Sequence, residues 1–206
     1  MPLTTLNKLN KNPGILWQKI ISLIAQKPYY LLISQYYQGR IAKRSKLPYI
    51  NHINEGIYIL YRICGWSELL IASYCIHPLC QSEKALSKAC SYRFDFSGID
   101  PVAIFHAMEY RRIANSYLST MVTATNSGHN IKLSPIDRVN KMLMADKIQN
   151  KKDFMLHMYD KLERKTYKKA SEHYLNYFNN WLASLGVSHQ VYETLAQELG
   201  SLEGYL

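Results

Sequence analysis

The chain has no uninterrupted apolar run near the roughly 18 residues that a membrane-spanning helix needs, so no spanning segment is expected. The apolar stretch from Ile15 to Ala25 is broken by Gln18 and Lys19, and no small-residue cleavage site follows it. A signal peptide is therefore not expected. Cysteine is sparse. Cys64, Cys75, Cys80 and Cys90 form no CxxC pair, and three of them sit in apolar helical patterns. That reads as buried free thiols in a reducing cytoplasm rather than a disulfide framework. Strand signals are nearly missing, because no segment sustains alternation between turn residues. There is no internal repeat and no low-complexity tract. Acidic residues are outnumbered, 15 Asp and Glu against 25 Lys and Arg, which leaves a net charge of +10.

What is present suits one all-α domain. The length is 206 residues and 48% are apolar, enough for a real core. Residues 1–35 read as N-terminal helices packed on a main unit of residues 36–206. The positive balance suits a polyanionic partner, whether nucleic acid, a phosphorylated nucleotide or an acidic surface. Its clusters are Arg40 to Lys46, Lys147 to Lys152 and Lys161 to Lys169, and the last reads as a solvated helix face. No helix shows a clean basic face with base-reading residues, so nucleic acid ranks lowest as a partner. The 17 tyrosines read first as core-edge residues and second as stacking platforms.

Helical spacing organises the chain. Helices are expected over Ile15 to Ala25, Tyr30 to Ala42 and His52 to Arg62, with a basic loop from Lys43 to Pro48. Ile53, Ile57, Leu60 and Tyr61 make the apolar stripe of the third. Ser67 is the expected N-cap of a helix ending at Ile76, with Pro78 beyond it. A further helix covers Gln81 to Ala89. Asp100-Pro101 is a start signal for a helix to Leu118, and Thr123 to Leu133 reads as a surface loop. Ser134-Pro135 opens the helix that carries Val139, Met142, Leu143 and Asp146. Lys151 to Thr166 continues it or bends. The last pair, Tyr167 to Leu185 and Ser188 to Leu199, is split at Gly186.

Three distant segments carry the chemistry: Leu47-Pro48-Tyr49-Ile50-Asn51-His52, Cys75-Ile76-His77-Pro78, and Met144 to Asn150 with Asp146. Each candidate ligand alone is weak, since a lone His in an apolar helix is usually a core or surface residue. Together, two imidazoles and one carboxylate can bind a divalent transition metal and leave positions open for water and phosphate oxygens. Glu55 follows His52 by three residues, so its carboxylate either shares that pocket or is an exposed helix residue.

These segments resemble the hydrolase domain of RelA/SpoT-type alarmone enzymes, including the small stand-alone members. The likeness spans about Tyr36 to Leu199. It rests on Leu47 to His52 with the later Ile57-Tyr58-Ile59-Leu60, on Ile71 to His77, on Met142 to Asn150, and on Tyr174 to Phe178 leading into Trp181. The resemblance implies an HD-domain helical bundle that removes the 3′-pyrophosphate of (p)ppGpp with Mn²⁺. It makes His52, His77 and Asp146 the metal ligands and places Asn150 in the nucleotide pocket. Arg40, Lys43 and Arg44 precede the first motif as the family's basic residues do, and would contact phosphate or base. Arg111 and Arg112 fall in the helix where the family also places substrate contacts, although the local motif does not match.

The departures are specific. The family has His-Asp where this chain has His77-Pro78, and a water-activating Glu-Asp pair where it has Gln81-Ser82. Proline has no side-chain ligand and glutamine is no general base. Two readings follow: a metal-dependent nucleotide phosphohydrolase with a rearranged site, using Glu55 or Gln81 beside the metal, or a pseudoenzyme that binds an alarmone-like nucleotide as sensor or sequestering protein. The aromatic C-terminal residues Tyr174, Tyr177, Phe178 and Trp181 suggest a surface for a homo-oligomer.

Overall fold

The computed structural model describes residues 6, 12–42, 45–91, 95–121, 131–159 and 168–202. Among them the elements are helical: α1 (Pro13–Ile24), α2 (Pro28–Tyr37), α3 (Ile50–Cys64), α4 (Glu68–Cys80), α5 (Glu83–Ser91), α6 (Pro101–Met121), α7 (Asp137–Phe154), a π-helical turn (Met155–Tyr159), α8 (Lys168–Ser184) and α9 (His189–Gly200). The all-α expectation is met. No described helix is long and apolar enough to cross a membrane.

The helix starts follow local chemistry. Asn12 accepts from the Ile15 N–H and Pro13 fills the first helical position of α1. Asp100 accepts from the Val102 N–H at 2.8 Å and starts α6. Ser82 accepts from Ala85 and starts α5, and Ser188 accepts from Val191 and starts α9. Ser67 stands at the N-cap of α4 without a side-chain cap bond. Ser134 sits in the turn before α7 instead of capping it. Its Oγ donates to Glu109 and accepts from the Ile136 N–H.

Two expected boundaries move for physical reasons. α2 stops at Tyr37 instead of reaching Ala42, because Gly39 takes a positive φ of 69° just beyond the helix. The chain then folds into a tight loop in which Ala42 N–H donates to Leu47 O and Tyr49 N–H donates to Arg40 O. α4 runs past His77 and Pro78 to Cys80, so neither residue ends it. The expected Thr123 to Leu133 loop falls mostly outside the described residues, as does the continuation beyond Tyr159.

α3, α4, α6 and α7 form the centre. α4 packs along α6, and α3 along α7. α3 and α4 are buried nearly all round, as central helices are. α1 and α2 lie against α3 and α4, and their Trp17, Ile20, Ile24 and Ile33 join the same hydrophobic cluster. Gly56 permits the close approach of α3 and α4, since a Cβ there would overlap the Tyr74 phenol. Trp181 is fully buried, and Tyr177 and Phe178 are buried beside it, so these aromatics serve the chain's own core. Tyr174 alone of that set is exposed. All four thiols are free; Cys75 and Cys80 are buried, Cys64 is half-buried and Cys90 is exposed.

Candidate metal centre

α3, α4 and α7 meet so that His52, His77 and Asp146 each offer one ligand atom within 4.8 Å of the others, a group able to hold a metal ion. The two imidazole rings stand 5.6 Å apart between centroids. His52 Nε2 lies 3.4 Å from Asp146 Oδ1. Asp146 Oδ2 accepts from the buried Lys147 ammonium at 2.8 Å. That ammonium in turn faces the Trp181 and Tyr177 rings at 5.2 and 5.7 Å. One Asp146 oxygen is thus taken by Lys147 and the other faces the histidines.

Protonation follows from the hydrogen bonds. Gln149 Nε2 donates to Glu55 Oε2 at 3.0 Å and to Asp153 Oδ2 at 2.8 Å. Two carboxylates accept only from the amide's NH₂ end, so they orient the carboxamide and turn Oε1 towards His52. His52 Nδ1 donates to that Oε1 at 2.6 Å, which leaves Nε2 as the ring atom turned to Asp146. His77 Nδ1 donates to the Tyr74 carbonyl at 2.6 Å, which frees its Nε2 in the same way. Burial, then the neighbouring His52, push His77 down to about 4 against the pull of Asp146, so it is neutral at pH 7. Burial raises the Asp146 carboxyl, but Lys147, His52 and His77 outweigh that and hold it well below the usual carboxylate range. Two imidazole Nε2 atoms and an ionised carboxylate are a donor set that suits a divalent transition metal.

A cavity of about 530 Å³ opens beside this group. His52 and Asp146 line it. Pro48, Asn51, Pro78 and Gln81 line it as well. α7 presents Gln149, Asn150, Asp153 and Phe154, and the π-helical turn adds His157 and Met158. Tyr37 and Tyr49, stacked at 5.4 Å, and Tyr174 with Phe178 supply aromatic walls. Asn51 Oδ1 and His157 Nε2 are buried polar atoms with no hydrogen-bond partner, both on lining residues. A ligand with complementary groups would satisfy them.

The other sequence candidates fall in different places. Asn150 and Gln81 line the cavity. Glu55 is neither exposed nor on the cavity. It is 1% exposed and holds Lys152 at 2.6 Å as well as Gln149. Burial raises its carboxyl and Lys152 opposes the rise. Arg40 lies over the Tyr36 ring at 4.2 Å, outside the lining. Arg111 pairs with Glu83 at 2.7 Å and Arg112 with Glu109 at 2.7 Å, also outside it. Lys43 and Arg44 lie outside the described residues. The spacing reading missed Lys147, Gln149, Asp153 and His157. The last three share a face of α7 and its extension with Asp146, at intervals of three and four residues. Comparison with known proteins gives no matching family model, no matching curated protein and no matching solved structure.

Proposed function

We propose that this protein is a divalent-metal-dependent phosphohydrolase that acts on a phosphorylated nucleotide. The observation that carries the reading is the convergence of His52, His77 and Asp146 beside an aromatic-walled cavity of about 530 Å³. That volume falls within the range of ordinary small-molecule sites. A metal held by the two Nε2 atoms and Asp146 Oδ1 would polarise a phosphoryl oxygen and make bound water more acidic. The chain's own residues do the rest. Lys147 holds Asp146 ionised, and Gln149 orients the His52 ring. Asn150 and Asn51 offer amides to a ligand. Tyr37, Tyr49, Tyr174 and Phe178 give apolar faces of the kind on which a base stacks.

Among the described residues the lining holds no Lys or Arg, so at the described walls phosphate charge would fall to the metal. Mn²⁺ and an alarmone-like nucleotide are the first metal and ligand to try, on the strength of the motif resemblance. Purified protein with Mn²⁺ and a nucleotide panel should release phosphate or pyrophosphate. Release no greater than that of the His52→Ala/Asp146→Ala double variant rules the hydrolase out. A second reading, a nucleotide-binding pseudoenzyme, is favoured by Gln81 standing on the cavity wall where a carboxylate would activate water. Calorimetric binding without turnover would select it.

A further inference from the structure

Pro78 looks like a lesion in the His77 segment, but its backbone suggests a different role. An α-helical carbonyl normally accepts from the N–H four residues on. The Tyr74 carbonyl should accept from residue 78, and proline has no N–H to give. α4 nevertheless continues to Cys80, with Pro78 inside it. The Tyr74 carbonyl is not orphaned. It accepts from His77 Nδ1 at 2.6 Å. His77 and Pro78 are both buried, so no bulk water competes for that carbonyl. Tyr74 is itself fixed, wedged over Gly56, with its ring 4.8 Å from the His77 ring. Tyr110 closes on the His77 ring from α6 at 4.7 Å.

We propose that Pro78 is a positioning residue of this centre: by removing one helix donor it hands the Tyr74 carbonyl to His77 Nδ1 and locks the imidazole with its Nε2 lone pair free. The proline acts through His77, and it also lines the cavity, where it has no polar side-chain group to offer. In the chain as it stands, the ring is held by backbone where a carboxylate or carboxamide often serves as the orienting partner. Its effect on metal affinity rests on the metal reading above. The tautomer does not, and it can be read without metal.

The test is histidine ¹⁵N NMR on the metal-free chain, paired with Mn²⁺ titration. The wild type should show His77 protonated at Nδ1 and bare at Nε2, in one population. Pro78→Ala returns the N–H and, as a better helix former, keeps the fold. It should give His77 a second, Nε2-protonated population and weaken Mn²⁺ binding about ten- to a hundred-fold, the usual cost of losing an orienting partner. A wild-type His77 bare at Nδ1 overturns the proposal without any variant. So does a Pro78→Ala protein whose His77 signals match the wild type. A tautomer change in a chain that binds no Mn²⁺ supports the role of Pro78 and removes the metal reading instead.

Discussion

His52 and His77 take the same orientation, each donating from Nδ1 and leaving Nε2 for the cluster, and reach it by opposite routes. His52 depends on side chains from two helices: Lys152 holds Glu55, Glu55 and Asp153 hold Gln149, and Gln149 holds the ring. His77 depends on one turn of its own helix, through the Tyr74 carbonyl. A side-chain relay is long and can be cut at several points. A backbone contact is short and cannot be removed by changing the acceptor residue. The difference predicts that mutations far from the centre will disturb His52 and leave His77 in place.

The largest effect should come from the far end of the relay. Lys152 and Glu55 are both nearly inaccessible and pair at 2.6 Å. Lys152→Met strands a buried carboxylate, which costs about 3–5 kcal/mol when one partner of such a pair is removed. Urea unfolding would read that loss. The Lys152→Met/Glu55→Leu double variant should recover only part of it: the stranded Glu55 charge is gone, but Gln149 loses one acceptor and Asp153 loses its ammonium partner. If the single variant costs under about 1 kcal/mol, the pair is not what anchors this side.

The second effect belongs to the His77 side and depends on pH. Its folded value, about 4, lies below the ordinary value of 6.5, so the unfolded chain binds a proton that the folded chain refuses. Stability is then complete above about pH 6.5 and is lost as pH falls towards 4, by an amount on the order of 3 kcal/mol. Asp146, also held low, adds a loss of the same sign at still lower pH. Unfolding of the metal-free protein across that window should show the slope, and His77→Phe should flatten it. Equal slopes in both proteins would mean that burial does not keep His77 neutral.

The third effect is confined to the metal. Gln149→Ala removes the acceptor of His52 Nδ1 and leaves the His77 contact intact. Mn²⁺ affinity should fall about ten- to a hundred-fold, or about 1.4–2.8 kcal/mol. Histidine ¹⁵N signals should change for His52 alone. A matching change at His77 would show that the two rings are not held independently.

How much of this was readable in the sequence divides along the same line. The grouping was readable: His52, His77 and Asp146 were singled out together as candidate ligands, and the structure brings them within 4.8 Å of one another from three helices. The all-α architecture was readable from the near absence of alternation. The relay was half-readable: Asp146, Gln149, Asn150, Asp153 and His157 follow a helical stripe, but the basic run from Lys147 to Lys152 reads as a positive cluster suited to a polyanionic partner. The structure buries Lys147 and Lys152 against Asp146 and Glu55 instead. Lys152 is buried because another helix supplies Glu55, and no local pattern records that. The Pro78 contact was not readable, because its agent is an absent N–H in a helix that was expected to end before it.

The smallest effect is the control for both routes. Arg111 and Arg112 were candidates for phosphate contact by their place in the chain, and α6 turns them elsewhere. Arg111 reaches across to Glu83, whose side chain is largely exposed, at the start of α5. An ion pair with one open partner contributes at most about 1 kcal/mol, because water screens it and ordering two long side chains costs entropy. Neither residue lines the cavity, and neither bonds to His52, His77, Asp146 or the Gln149 relay. Arg111→Ala should therefore leave Mn²⁺ affinity, nucleotide binding and both histidine tautomers as they are, with urea midpoints nearly unchanged. A loss of nucleotide binding without a loss of stability would show that Arg111 swings from Glu83 to the ligand. That would make α6 a third arm of the site, independent of the two that hold the histidines.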